Sequence, residues 1–209
     1  MKSRFEEIGG VSFPVVTGTR VLLMPFWLDD PTSLPKEIRP WAGVIEAMRC
    51  GRDGLGYLTI DERYVLAGRI HRRPGLHVDG WANDNNPGTW GGGGWGIMGF
   101  AIASSQTGCA GWSQDFEGEP AKWGNCDHMR DQCDPDLRKV LAPFTAYLMG
   151  SVAVHETLPQ QESGVRQFVR LSYPSKAGWP INCTPNPRGI KPAGTLLEPR
   201  PLAFTNYHP

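Results

Sequence analysis

The chain has 209 residues, 40% of them apolar, and its formal net charge is zero because 21 Lys and Arg balance 21 Asp and Glu. This balance argues against strong non-specific attraction to nucleic acid or to an anionic membrane. The 26 glycines and 19 prolines favour a turn-rich fold over a helical bundle. We expect one domain spanning residues 1–209.

The first part of the chain predicts strands and one helix. Residues 11–30 are typical of one or two short strands. Residues 35–51 predict a helix because apolar residues recur there at helical spacing. Pro40 leaves the start of this helix open, since proline is tolerated only in the first turn. Residues 57–70 have two apolar, β-branched patches around an acidic turn, which predicts a β-hairpin.

The second half of the chain predicts further short strands. Residues 96–105 and the end of 143–159 are apolar enough for buried strands. Residues 165–174 alternate in polarity, so that Arg166 and Arg170 share one face. Many short strands without β-α-β alternation indicate a mainly β fold with flanking helices, either a sandwich or a barrel.

The stretch GLHVDG, residues 75–80, contains a potential metal-binding pair. Residues two apart in a strand point to the same face, so His77 and Asp79 would lie side by side. Two histidines and one carboxylate form the facial triad of non-haem Fe(II) oxygenases, which leaves three metal positions open. Among the five histidines, His155 is the preferred third ligand because it ends an apolar strand.

The run HETLPQQESGVR, which begins at His155, extends this pattern. Pro159 lies at +4, Gly164 at +9, and Arg166 follows on the next predicted strand. Together with PGLHVDG, these residues resemble the Fe(II)- and 2-oxoglutarate-dependent dioxygenase superfamily over roughly residues 57–175.

The resemblance implies a fold for the whole domain. It implies a double-stranded β-helix, the jelly-roll or cupin-like core, over about residues 57–175. Residues 1–56 would then support this core with a helix and strands. Residues 176–209, which are rich in proline, would form an extended tail.

The resemblance also implies a reaction and its cofactors. Fe(II) would be held by His77, Asp79 and His155, with 2-oxoglutarate as cosubstrate and O2 as oxidant. The 2-oxo acid end of the cosubstrate would chelate the metal, and a cation would bind its far carboxylate. Arg166 matches the family spacing for this cation. Arg170 is the alternative, because Arg170-Leu171-Ser172 satisfies an Arg-x-Ser variant of the motif.

Because Asp79 is present, the resemblance implies hydroxylation and not halogenation, whose enzymes replace this carboxylate with a small residue. An unactivated C–H of the substrate would be hydroxylated, with release of succinate and CO2. The substrate stays open between a methylated nucleobase, a peptidyl side chain and a small molecule. Two alternatives also stay open: a cupin-like metalloenzyme that does not use 2-oxoglutarate, and a non-catalytic jelly-roll binding module.

Several further residues are candidates for the site. The tryptophans of the Gly/Asn/Trp-rich segment 80–96 either form a lid over the substrate or pack in a plain connection; they are Trp81, Trp90 and Trp95. Tyr64 and Arg69, on the predicted strand before His77, either hydrogen-bond the cosubstrate or are ordinary strand residues.

The cysteines raise a separate hypothesis. Cys126, His128 and Cys133 could bind zinc with Cys109 or Cys183 as a fourth ligand, although their spacing fits no standard structural site. The odd number of cysteines, five, does not indicate a disulfide framework. With no apolar leader or membrane span evident, we expect a soluble, cytoplasmic protein of undetermined oligomeric state.

Overall fold

The computed structural model describes residues 1–79, 99–121, 124–173, 178–180, 183–192 and 195–197. These ranges form a mainly β protein with one short α-helix, α1 (Ala42–Met48), which confirms the predicted class. The strands are β1 (Phe5–Gly10), β2 (Arg20–Trp27), β3 (Leu55–Val65), β4 (Leu76–His77), β5 (Phe100–Ser104), β6 (Cys109–Trp112), β7 (Arg138–Val140), β8 (Thr145–Met149), β9 (Val154–Thr157), β10 (Gly164–Ser172), β11 (Gly178–Pro180) and β12 (Thr195–Leu197). The 3-10 helices are Pro31–Ser33, Arg39–Trp41, Asp127–Gln132 and Pro135–Leu137.

The strands form two antiparallel sheets. The larger sheet has the order β1-β8-β5-β10-β3-β2, and the smaller has the order β4-β9-β6-β7. β11 and β12 form a separate parallel pair. Within the two sheets, β3 pairs with β10, β4 with β9, β5 with β8 and β6 with β7. The strands from β3 to β10 therefore pair like those of one long folded hairpin, the first with the last and so on inwards. Successive pairs alternate between the larger and the smaller sheet.

Strand alternation divides the side chains of β10 between two environments. Val169 and Leu171 join the buried cluster that also contains Trp41 and Ile45 from the helical segment. Arg166 and Arg170 occupy the other face of the same strand, as predicted, and both are buried. The alternating sequence of β10 therefore gives this strand an apolar face against the helical segment and a charged face on the opposite side.

The predicted hairpin at 57–70 is wrong, because β3 is one continuous strand through the acidic pair Asp61 and Glu62. The Asp61 carboxylate is fully buried, and its Oδ2 lies within 3.0 Å of both Arg63 and Arg72. Glu62 accepts hydrogen bonds from the backbone N–H groups of Thr17 and Thr19. Partners distant in sequence thus let two acidic residues occupy the middle of a strand.

The helix predicted at 35–51 is shorter in the structure. A 3-10 turn, Arg39–Trp41, leads directly into α1. Pro40 lies inside that turn, where its missing N–H leaves no helical hydrogen bond unmade. No helix among the described residues is long and apolar enough to cross a membrane.

Candidate metal centre

A glycine sets the start of the strand that carries the first histidine. Gly75 has φ of 78°, a conformation that side-chain-bearing residues rarely adopt, and a Cβ there would lie 2.8 Å from Asp127 Oδ2. The Asp127 carboxylate accepts a 2.8 Å hydrogen bond from the N–H of Leu76. The chain is thereby held as it enters β4, and Leu76 and His77 alternate between opposite faces.

The two candidate histidines face each other across neighbouring strands. His77 and His155 are direct partners in the antiparallel pair β4–β9, and their ring centroids are 4.3 Å apart. Nδ1 of His77 lies 2.8 Å from the carbonyl of Gly75, and Nδ1 of His155 lies 2.8 Å from the carbonyl of Ala153. These carbonyls fix Nδ1 as the protonated nitrogen on each ring, so each Nε2 keeps its lone pair.

Asp79 completes a cluster of three potential ligands. One ligand atom from each of His77, Asp79 and His155 lies within 4.8 Å of the other two. Asp79 Oδ2 is 3.9 Å from Nε2 of His155, and all three residues are buried. The predicted clustering of these three residues is confirmed, and the group could hold a metal ion.

The electrostatic surroundings keep both imidazoles neutral. Burial lowers the pKa of His77 well below its usual value, and the neighbouring His155 lowers it further. Burial also lowers the pKa of His155, although the Asp79 carboxylate opposes this effect. A neutral imidazole is the form that coordinates a metal, so the site needs no deprotonation of its histidines at neutral pH.

Arg170 makes a direct contact with the candidate ligand Asp79. Its Nη1 donates a 2.5 Å hydrogen bond to Asp79 Oδ2, and its side chain is 3% exposed. No hydrogen-bond partner for its Nε or Nη2 lies within the described residues. Arg170 therefore holds the Asp79 carboxylate with one nitrogen and leaves two buried donors unpaired.

Arg166 lies on the same face of β10, two pleats from Arg170. Its Nε donates a 2.7 Å hydrogen bond to Ser104 Oγ, while its Nη1 is buried without a partner in the described part of the chain. Burial lowers the pKa of Arg166 to about 10, so the guanidinium remains charged at neutral pH. Leaving a charged donor unpaired in the interior costs free energy, which indicates a place for an anion.

The histidines and these arginines line one pocket between the two sheets. The smaller sheet contributes His77, His155 and Thr157, and the larger sheet contributes residues of β5 and β10. The pocket has a cavity volume of about 50 Å³ and is partly open to solvent. The candidate ligand atoms and the arginines therefore face one shared cavity.

Sequence reasoning missed several lining residues. Gly108 and Cys109 precede or begin β6, in a region without a predicted element, and Arg72 and Arg73 stand in a polar run without a motif. A Cβ at Gly108 would lie 2.6 Å from Arg166 Cζ, so only glycine leaves the guanidinium where it is. No signal in the sequence alone identified this close approach.

The structure does not bring Tyr64 and Arg69 to the pocket. Tyr64 is 62% exposed, because even-numbered residues of β3 point away from the face that carries Arg63 and its partner Arg166. Arg69 is exposed in the turn after β3. Of the two alternatives for these residues, the structure favours the one in which they have no contact with the site. The candidate lid residues Trp81, Trp90 and Trp95 lie outside the described residues.

Among the described residues, the cysteines and histidine of the zinc hypothesis do not form a cluster of ligands either. Cys126 is buried in an apolar cluster and its thiol points to the carbonyl of Gly124. Burial raises the pKa of Cys126 to about 12, so its thiol stays protonated. His128 is exposed, with Nε2 3.2 Å from the carbonyl of Glu119. In the described ranges, the one group of at least three potential metal ligands is His77, Asp79 and His155.

Comparisons with protein-family models, with curated proteins and with solved structures gave no significant match. The function is therefore inferred from the residues of this chain. These residues establish a buried His-x-Asp and His cluster between two antiparallel sheets, in a pocket that also contains buried arginines.

Proposed function

We propose that this chain is an Fe(II)- and 2-oxoglutarate-dependent dioxygenase that hydroxylates an unactivated C–H of its substrate. In this reaction the substrate, 2-oxoglutarate and O2 yield the hydroxylated product, succinate and CO2. One oxygen atom enters the product and the other enters succinate. The observation that carries the proposal is that His77, Asp79 and His155 share one buried pocket with Arg166.

The strand pairing supports the jelly-roll fold of this enzyme class. Folding a hairpin of eight strands across two sheets pairs the first strand with the eighth, the second with the seventh, the third with the sixth and the fourth with the fifth. The pairs β3–β10, β4–β9, β5–β8 and β6–β7 follow this scheme. The candidate ligands lie on the second and seventh of these eight strands and just beyond the second.

The donor set fits Fe(II). His77 and His155 offer neutral imidazole nitrogens that are held by backbone carbonyls, and Asp79 offers a carboxylate oxygen. This two-histidine, one-carboxylate set leaves coordination positions open at non-haem iron. When bound, Fe(II) would be chelated by the 2-oxo acid end of 2-oxoglutarate and would supply the position at which O2 is activated.

Arg166 is the proposed partner of the far carboxylate of 2-oxoglutarate. Its guanidinium is buried, held at Nε by Ser104, and leaves Nη1 unpaired towards an incoming anion. A planar guanidinium binds a carboxylate through parallel hydrogen bonds, which fixes orientation as well as position. Its place on the nine-residue strand β10 gives it a rigid support.

Formation of succinate from 2-oxoglutarate tests this function without knowledge of the substrate. Fe(II)-loaded protein in air should convert 2-oxoglutarate slowly to succinate and CO2, and His155→Ala should abolish this conversion. Arg166→Lys should raise the 2-oxoglutarate concentration required, while the exposed control Arg69→Lys should not. Metal binding with no use of 2-oxoglutarate would favour a cupin-like enzyme instead, and failure to bind Fe(II) would favour a binding module.

A further inference from the structure

Arg170 presents an unpaired edge of its guanidinium inside the candidate active site. Nη1 is occupied by Asp79 Oδ2, whereas Nε and Nη2 have no hydrogen-bond partner among the described residues. Nε and Nη2 form one edge of the planar group, and their two N–H bonds are parallel. This edge has the geometry that binds both oxygens of a carboxylate.

The charges that line the pocket also favour an anion, because positive groups outnumber negative ones. The buried Arg166 and Arg170 line the pocket with one described carboxylate, Asp79, and the two further lining arginines, Arg72 and Arg73, have interactions of their own. Arg72 is already paired with Asp61, at 2.8 Å. A bound Fe(II) would add two positive charges, and the two carboxylates of 2-oxoglutarate would offset only these. The excess positive charge favours a further anion.

The unpaired edge of Arg170 differs from the proposed cosubstrate site in its surroundings. Arg166 is held by Ser104 on β5, away from the candidate ligands, whereas Arg170 is hydrogen-bonded to the candidate ligand Asp79 itself. An anion on the edge of Arg170 would therefore lie beside the reacting centre. Placing an anionic group there would fix the neighbouring C–H of the same molecule close to the metal.

We propose that the substrate is a small molecule with a carboxylate, which binds to the Nε and Nη2 edge of Arg170 next to the carbon that is hydroxylated. This inference rests on the proposed dioxygenase function and names the substrate class of that site. Arg170 thus has two contacts, with Nη1 on the Asp79 ligand and the opposite edge on the substrate. A neutral nucleobase or an uncharged peptidyl side chain could offer that edge an acceptor atom, but not the negative charge that offsets the arginines.

Calorimetric titration of the Fe(II)-loaded protein without oxygen tests this inference in two steps. The first step titrates 2-oxoglutarate into the wild type, Arg166→Lys, Arg170→Lys and the exposed control Arg69→Lys. The second step titrates acetate into each 2-oxoglutarate-saturated protein, with acetamide as the neutral control and inorganic phosphate as a competing anion. The acetate and acetamide comparison in the wild type does not depend on any variant folding correctly.

We expect acetate, but not acetamide, to bind the wild-type complex. Arg170→Lys should weaken acetate binding about tenfold or more, because lysine lacks the paired donors. It should change 2-oxoglutarate affinity by less than about threefold. Arg69→Lys should change neither affinity.

Three results would overturn the inference while leaving the dioxygenase proposal in place. They are acetate binding no tighter than acetamide, phosphate binding tighter than acetate, and a loss of 2-oxoglutarate affinity in Arg170→Lys as large as in Arg166→Lys. The last result would assign the edge to the cosubstrate. Failure of folded, Fe(II)-loaded wild type to bind 2-oxoglutarate in the first step would instead refute the proposed function, and this inference with it.

Discussion

His77 and His155 are direct partners across strands β4 and β9, and each imidazole is held by a carbonyl two residues earlier in its own chain segment. The two Nδ1 atoms are used by Gly75 and Ala153, so both Nε2 atoms remain available. Two strands thus present a matched pair of ligands, and Asp79 adds the carboxylate from the end of one of them.

Removal of either histidine should remove divalent metal binding. We expect His77→Ala and His155→Ala to lower Fe(II) affinity by more than about a hundredfold, since loss of outer hydrogen-bond partners alone costs about 10–100-fold. The control is His128→Ala, which changes an exposed histidine outside the cluster. Anaerobic calorimetry with Fe(II) measures the affinities. Equal affinities in His128→Ala and His155→Ala would count against the assigned ligands.

Gly108→Ala should weaken 2-oxoglutarate binding by displacing Arg166. The added Cβ would lie 2.6 Å from Arg166 Cζ and 2.7 Å from Gln160 Nε2, so the buried guanidinium has to move. We expect a loss of about tenfold, the scale of one hydrogen bond to a charged group. The control is Gly43→Ala in α1, where no atom lies within 4 Å of the added methyl. Unchanged 2-oxoglutarate affinity in a folded Gly108→Ala protein would argue against the role of Arg166.

Asp61 should be a major determinant of stability. It is fully buried and lies within 3.3 Å of Arg20, Arg63, His71 and Arg72. Asp61→Asn removes the buried negative charge that compensates the largely buried Arg63 and Arg72, and we expect the free energy of unfolding to fall by about 3–5 kcal/mol. The exposed pair Arg4–Asp115 provides the control, because Asp115→Asn should cost less than about 1 kcal/mol. Urea denaturation compares the two variants; similar losses would contradict the proposed network.

His71 should make the metal-free protein sensitive to mild acid. Burial lowers its pKa from 6.5 to about 4, although Asp61 opposes the shift. Because the unfolded chain binds the proton more readily, the contribution of His71 is complete above about pH 6.5 and is lost as the pH falls towards 4.

The loss should reach about 3 kcal/mol, since one pKa unit corresponds to about 1.36 kcal/mol. Replacing His71 with Gln removes the titrating group. Urea denaturation of both proteins from pH 7 to 4.5 should therefore show a shallower decline in the variant. If the free energy of unfolding falls equally with pH in the two proteins, His71 is not kept neutral by the fold.

The sequence predicted the pair His77 and Asp79 because its pattern is local. The alternation of His77 and Asp79 needs only strand geometry, and it places Leu76 and Val78 in an apolar cluster on the opposite face. The shared face of Arg166 and Arg170 followed from the same rule. Both predictions depend on residues within a few positions of each other.

The remaining features depend on contacts between distant segments. Asp61 and Glu62 looked like a turn because their partners, such as Arg72 and Thr19, are not adjacent to them. The contact of Arg170 with Asp79 joins residues 91 positions apart. No local pattern encodes such contacts, so the sequence identified Arg170 as an alternative cosubstrate residue but did not predict its contact with Asp79.

The central claim is that one site binds Fe(II) through His77, Asp79 and His155 and 2-oxoglutarate through Arg166. Its most direct test is the visible metal-to-ligand charge-transfer band that forms when 2-oxoglutarate chelates Fe(II) in the absence of oxygen. We predict a band that saturates at one Fe(II) and one 2-oxoglutarate per chain and is absent in His77→Ala. Arg166→Lys should require more 2-oxoglutarate to reach saturation. A folded wild-type protein that binds Fe(II) yet gives no band with 2-oxoglutarate would contradict the account.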